Sequence, residues 1–125
     1  MAQHNELGKL GEQLAADFLE GKGYVILEKS WRWSRAEIDI IAQQNSVLVF
    51  VEVKTRSSVF FGAPEEFFTP KKEKFMSHAA ELYCEKAQHD GEIRFDLIAV
   101  VLLPHRPPSI QHFEDVFFPG WGNEI

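Results

Sequence analysis

The sequence predicts an α/β fold, a mixed β-sheet flanked by α-helices in the order α-β-β-β-α-β, and three patterns carry that prediction. Leu7, Leu10, Leu14 and Phe18 recur at helical spacing, as do Phe75, Ala79, Leu82 and Tyr83. Between them, residues 36–56 (AEIDIIAQQNSVLVFVEVKTR) alternate with a period of two on either side of a short polar turn, so two strands pair as an antiparallel hairpin. After the second helix, Ile93 to Leu103 ends in a continuous apolar run, which marks an interior strand. A strand, a helix and a strand in succession imply a crossover that sets this strand parallel to Val47 to Thr55, and the sheet is therefore mixed. With 125 residues and 45% apolar content, the chain suits one core and a single domain, residues 1–125.

Taken in order, Asn5 can cap the first helix, which Gly21 and Gly23 end. Glu12 falls at the edge of its apolar arc beside Gly8, Ala15, Ala16 and Leu19, where small neighbours let another element come close. It reads either as a surface glutamate or as an acid aimed at a site. Tyr24 to Trp33 alternates as a strand, with Lys29, Arg32 and Arg35 interleaved among Trp31 and Trp33. That suits phosphate contact with stacking, or a strand end whose tryptophans pack on the fold; Arg32 or Arg35 is expected near phosphate. In the next strand Ile38 and Ile40 share one face, and Glu37, Asp39 and Ile41 the other.

A two-residue turn at Asn45-Ser46 pairs residues whose numbers sum to 91, setting Asp39 opposite Glu52, Glu37 opposite Lys54 and Ile41 opposite Phe50; moving the turn back one residue gives a sum of 89 and sets Asp39 opposite Phe50, with Asp39, Glu52 and Lys54 still on one face. The third strand has an all-valine face, while its other face begins apolar at Leu48 and Phe50 and ends charged at Glu52 and Lys54. A strand built that way opens into a cleft at its end. The following loop carries Phe60, Phe61, Phe67 and Phe68, which suit packing, a dimer contact or a wedge between bases. Thr69 and Pro70 read as cap and first residue of the second helix, whose first turns hold Lys71, Lys72 and Lys74. In the interior strand Arg94 and Asp96 share a face and can pair, and Ile110 to Phe118 adds an edge strand.

Two carboxylates on adjacent strands repel unless a cation sits between them, and a hard divalent ion with oxygen ligands is the usual solution. Mg²⁺ or Mn²⁺ fits Asp39 and Glu52. Lys54, two residues beyond Glu52 on the same face, would point its ammonium at whatever the metal binds, which suits a phosphate-bearing substrate.

At these residues the chain resembles the PD-(D/E)xK nucleases, through Asp39 and then Glu52-Val53-Lys54. More closely, GKLGEQLAADFL, AEIDIIA, VFVEVKTR, TPKKEK and RFDLIAV together resemble the small bacterial YraN-like proteins, distant relatives of archaeal Holliday-junction resolvases, over roughly residues 7–101. Ala36 stands where that family usually has glycine. The resemblance implies a restriction-endonuclease-like core and a Mg²⁺- or Mn²⁺-dependent endonuclease acting on DNA, branched or junction DNA among its forms. It implies Asp39, Glu52, Lys54 and Glu12 as catalytic residues, with Asp39, Glu52, the Val53 carbonyl and Glu12 as metal ligands. Arg32, Arg35, Arg56 and Lys72 would contact nucleic acid, and a homodimer would suit a two-armed substrate.

Net charge of −6 argues against a general nucleic-acid coat, yet residues 29–74 hold eight Lys or Arg against six acids. A locally basic face around an acidic site suits phosphodiester cleavage. The only cysteine, Cys84, forbids an internal disulfide and reads as packing. The N-terminus lacks a signal-peptide run and no apolar stretch is long enough to cross a bilayer, so a cytoplasmic protein is expected. The five histidines show no metal-ligand spacing. Two rival readings remain open at this point: a module on the same fold that grips nucleic acid or a protein without cutting, and an ion-pair network of Asp39, Glu52 and Lys54.

Overall fold

The computed structural model describes residues 2–58 and 68–117, with the backbone alone for residues 2–5. Its elements are α1 (Ala2–Gly21), β1 (Val25–Trp33), β2 (Ala36–Gln44), β3 (Val47–Arg56), α2 (Pro70–Ala87), β4 (Ile93–Val101) and β5 (Ser109–Phe113). The strands form one sheet in sequence order. β1, β2 and β3 run antiparallel, β3 and β4 are parallel, and β5 returns antiparallel at the edge. This is a restriction-endonuclease-like core, a mixed sheet flanked by helices, with one added edge strand. Among the described residues no helix is long and apolar enough to cross a membrane.

Strand parity divides the core in two. Val49, Val51, Ile98 and Val100 pack with Ala15, Ala16 and Leu19 of α1, whereas Leu48, Phe50, Phe95 and Leu97 pack with Met76, Ala79, Ala80 and Tyr83 of α2. Lying between two covered faces, β3 and β4 need the near-continuous apolar composition that they have.

The hairpin adopts the register expected from its turn, with Gln44 opposite Val47, Ile41 opposite Phe50 and Ile40 opposite Val51. Asn45 takes the left-handed conformation (φ 55°) that a tight two-residue connection needs. The β2–β3 ladder ends at Ile40 and Val51. Beyond it β2 continues to pair with β1 as far as Ala36, and β3 with β4 as far as Arg56. The sheet therefore parts between Asp39 and Glu52.

Ile38 and Ile40 do not share a face, contrary to the alternation expected for β2. Ile38 and Ile41 belong to the α2 side, Ile40 and Ala42 to the α1 side. Ser30, which the β1–β2 register sets opposite Asp39, is left-handed (φ 52°), and the paired residues on either side skip it. The pleat breaks at that pair, which frees the Asp39 side chain from the usual two directions.

α1 begins at Ala2, upstream of the expected Asn5 cap. Its buried face is Gly11, Ala15, Ala16 and Leu19, while Leu10 is 49% exposed. The large side chains gave the period, yet the small ones set the contact, because they let the helix axis approach β3. A Cβ on Gly11 would lie 1.8 Å from Thr55 Oγ1 and 2.9 Å from Thr55 Cβ. Gly11→Ala is therefore expected to lose about 1–3 kcal/mol to overpacking, outweighing the roughly 1 kcal/mol gained in helix propensity. Urea unfolding checks it: adding Thr55→Ala should recover part of the loss, and a Gly11→Ala protein at least as stable as wild type would contradict the contact.

α2 starts as expected, with Thr69 Oγ1 accepting from Lys72 N and Pro70 at the first turn. Its buried face is turned from the expected one: Met76 is buried and Phe75 is 42% exposed. Phe60, Phe61 and Phe67 lie outside the described residues; Phe68 is buried, its ring 5.4 Å from Phe117. Trp31 packs edge-on against Tyr83 at 5.2 Å, and Cys84 packs against the same cluster.

Arg94 and Asp96 do pair, within a wider network. Arg94 Nε and Nη2 donate to the two Asp96 oxygens at 2.9 and 2.7 Å, Asp115 N donates at 3.0 Å, and His112 Nε2 lies 2.7 Å away. Arg94 Nη2 also donates to Tyr24 Oη at 2.6 Å. Asp96 is fully buried. Burial alone would raise its pKa; the bonds from His112, Arg94 and the Asp115 amide outweigh that and hold it below the usual carboxylate value.

Candidate functional site

The parting of β2 from β3 leaves main-chain groups without strand partners, and side chains take their place. Val53 N donates to Asp39 Oδ2 at 2.8 Å, so the Asp39 carboxylate bridges the gap where the ladder stopped. Glu52, 6% exposed, stands on the α2 side of β3. Lys72, on the first turns of α2, brings its ammonium onto Glu52 Oε2, and Lys54 Nζ lies 3.7 Å from the same oxygen.

Two open clefts meet at this point. One of about 490 Å³ is lined by Arg35, Glu37, Asp39, Glu52, Lys54, Lys71 and Lys72, with Thr69, Phe75 and Met76 from the α2 side. The other, about 510 Å³, is lined by Leu7, Gly8 and Glu12 of α1 and by Thr55, Arg56 and Ser57. Asp39, Val53 and Lys54 line both. The close contact of Gly11 with Thr55 lays α1 over the end of β3, and that contact brings Glu12 to the second cleft.

The electrostatics follow from this crowding. Asp39 has its pKa pushed up to about 8, first by burial and then by the charge of Glu52, against the opposing bond from Val53 N. Burial, with Lys72 and Arg56 nearby, lowers Lys54 despite the attraction of Glu52. For Lys72 burial acts in the same direction, yet its bond to Glu52 prevails and raises it. Burial also raises Glu12, assisted by the charges of Glu37 and Glu52 and opposed by the hydrogen bond from Ser30 Oγ at 2.9 Å.

Asp39 gives a pH dependence of defined sign. Unfolded, it titrates near 3.8; folded, near 8, so between these values the native state holds the extra proton. Its stabilising contribution is complete below the unfolded pKa and is lost as pH rises toward the folded one, at up to about 1.4 kcal/mol per pH unit. Denaturant unfolding from about pH 5 to 8 should show wild type losing stability relative to Asp39→Asn as pH rises. Parallel curves would remove the raised carboxyl.

Not every predicted residue converges. Asp39, Glu52, Lys54 and Lys72 come together, with Arg35 on the wall of the first cleft, and Glu12 and Arg56 on the wall of the second. Arg32 is an exposed side chain paired to Glu37 at 2.5 Å, across the β1–β2 register. Among the described residues no three His, Cys, Asp or Glu side chains form a set able to hold a metal ion. Two hard carboxylates and a main-chain carbonyl are still suitable donors for Mg²⁺, which keeps several waters and completes its shell with substrate oxygens. The ammonium on Glu52 and the raised pKa of Asp39 both report a pair of acids for which cationic charge is favourable. The donor set thus fits such an ion.

Sequence reasoning did not anticipate Ser30, which holds Glu12, or Phe75, which lines the first cleft. Neither has a local signal: a left-handed serine inside a strand and a one-residue rotation of a helix face both arise from packing.

Residues 11–100 match the profile of a family described as "Uncharacterised protein family UPF0102". A UPF0102 protein of Flavobacterium psychrophilum is 51% identical over 118 residues, covering 94% of this chain and 98% of its own. Another, from Phocaeicola vulgatus, is 40% identical over 119 residues, with 95% and 98% covered. A third, from Geotalea daltonii, is 44% identical over 112 residues, with 89% and 88% covered.

Proposed function

The chain belongs to the uncharacterised protein family UPF0102, and on that premise we propose that it is a Mg²⁺- or Mn²⁺-dependent endonuclease that hydrolyses phosphodiester bonds in DNA, branched DNA among its substrates. One observation carries this reading: a desolvated pair of acids, Asp39 and Glu52, stands at the point where the sheet parts, with the ammonium groups of Lys54 and Lys72 beside it. A surface that only gripped phosphate would be weakened by two acids at its centre.

Asp39 and Glu52 would hold the ion, with the Val53 carbonyl. When bound, a hard divalent ion supplies Lewis acidity, neutralising phosphoryl charge and acidifying water. Lys54 offers positive charge to the pentacovalent phosphate as it forms. Lys72 neutralises Glu52 in the free protein and would turn to a phosphate where Glu52 serves as a metal ligand. Glu12, which lines the second cleft with Asp39, Val53 and Lys54, stands outside the pair that would hold the ion and would face the substrate from the α1 side. Arg35 and Arg56 border the two clefts and would hold the strand, while Arg32 must leave Glu37 to do so. We assign the protein to the cytoplasm, acting as a homodimer where the substrate has two arms.

The Lys72–Glu52 pair also favours a second reading, a purely structural ion-pair network. Titrating Mg²⁺ and Mn²⁺ into wild type and the Asp39→Asn, Glu52→Gln double variant, with and without a short DNA, separates the two. The nuclease reading requires a rise in thermal midpoint and a heat of binding for wild type alone. Equal behaviour of the two proteins in the presence of DNA would leave the network as the better account.

A further inference from the structure

Phe75 has the spacing of a core residue but is 42% exposed, and it stands on the wall of the cleft that holds Asp39 and Glu52. A solitary exposed phenylalanine needs no explanation. This one has three distinguishing neighbours. Lys71 carries its ammonium over the ring, 5.9 Å from the centroid. Lys72, three residues earlier on the same helix and so about 4.5 Å from Phe75 along its axis, reaches Glu52, and both side chains line the cleft of the acidic pair. Arg35, in the β1–β2 connection, lines the same cleft.

Resting on the nuclease reading above, we infer that the cleft takes an unpaired nucleotide, whose base stacks on Phe75 while Lys71, Lys72 and Arg35 hold its flanking phosphates. The substrate class is therefore single-stranded DNA, or DNA with unpaired nucleotides at the scissile position. An aromatic face beside cations binds any base, since every base presents a π-face and every nucleotide an anion. Fully paired bases cannot offer that face. A nucleotide on the ring displaces the Lys71 ammonium from it and gives that ammonium a phosphate instead. The cleft, at about 490 Å³, is large enough for a nucleotide-sized ligand.

The test is metal-free binding, read by anisotropy of a labelled oligothymidine, the same backbone carrying abasic sites, and a blunt duplex, to wild type, Phe75→Ala and Phe75→Trp. Phe75→Ala should weaken oligothymidine binding about tenfold or more, with the duplex changed less than about twofold. Phe75→Trp should restore it, and the abasic strand should bind wild type as weakly as oligothymidine binds Phe75→Ala. Unchanged oligothymidine affinity, or equal losses on strand and duplex, would overturn the inference. So would a lower sedimentation coefficient for Phe75→Ala, which would give the ring to a second copy of the chain. These readouts use no metal, so their failure is distinct from failure of the metal titration: stacking without metal binding would overturn the nuclease reading alone.

Discussion

Glu52→Gln is expected to lower metal-dependent DNA cleavage by more than about 100-fold while leaving metal-free DNA affinity within about twofold of wild type. The substitution keeps shape and removes one charge. In the free protein that charge neutralises Lys72 and keeps Lys54 company at 3.7 Å, so its loss leaves two ammonium groups without their acid. Repulsion between them is tolerable because neither is fully buried, and phosphate can still bind. On the proposed nuclease reading, the site would lose one of the two carboxylates that would hold the ion. Asp39 gains from the change, since the charge of Glu52 is part of what raises its pKa. Cleavage that survives Glu52→Gln would move the site elsewhere; lost DNA affinity without metal would mean that the fold, and not the chemistry, had been damaged. Comparing unfolding midpoints of the two proteins distinguishes these outcomes.

Asp96→Ala should cost about 3–5 kcal/mol of stability without touching the cleft. Asp96 is fully buried and meets Arg94, His112 and the Asp115 amide at once. Removing it leaves the guanidinium charge desolvated, with Tyr24, Gln44 and Glu114 as its remaining partners. The edge strand loses its tie as well, because His112 belongs to β5 and Asp115 follows it. Urea unfolding of Asp96→Ala and of a paired Arg94→Met, Asp96→Leu variant gives the check: the pair should recover much of the loss, since a removed pair costs less than an orphaned charge. Because the folded pKa of Asp96 lies below its ordinary 3.8, its contribution is present above that value and disappears as pH falls through the folded one. A loss under about 1 kcal/mol for Asp96→Ala would show that the network contributes little.

Much of the site was readable because hairpin register is local. Two residues of turn and a period of two are enough to set Ile41 against Phe50, and the structure has that pairing. The parallel placement of β4 followed from the crossover between it and β3. The faces of the helices were less readable, since hydrophobic periodicity weights large side chains. In α1 the contact is made by Gly11, Ala15 and Ala16, whose value lies in letting backbones approach. The parity break at Asp39 was invisible for another reason: it depends on Ser30, a residue of the neighbouring strand that adopts a left-handed conformation. Likewise His112 carries no metal spacing, and its part in holding Asp96 arises from a pairing across sixteen residues. Long-range partners of this kind leave no local periodicity to read.

The tip of the β2–β3 hairpin is as tightly constrained as the cleft. Asn45 and Ser46 are exposed and lie five residue pairs from the end of the ladder, about 16 Å at strand spacing, so by surface criteria they resemble a permissive place for an inserted residue or an epitope. They are not, because every partner along the ladder is counted from that turn. One added residue there must be absorbed by widening the turn, because a slip of β3 against β2 would carry Glu52 and Lys54 to the opposite side of the sheet from Lys72 and break the pairing of β3 with β4. Length variation among functional relatives should therefore collect in the β4–β5 connection, residues 102–108, whose closing strand carries none of the acids of the cleft.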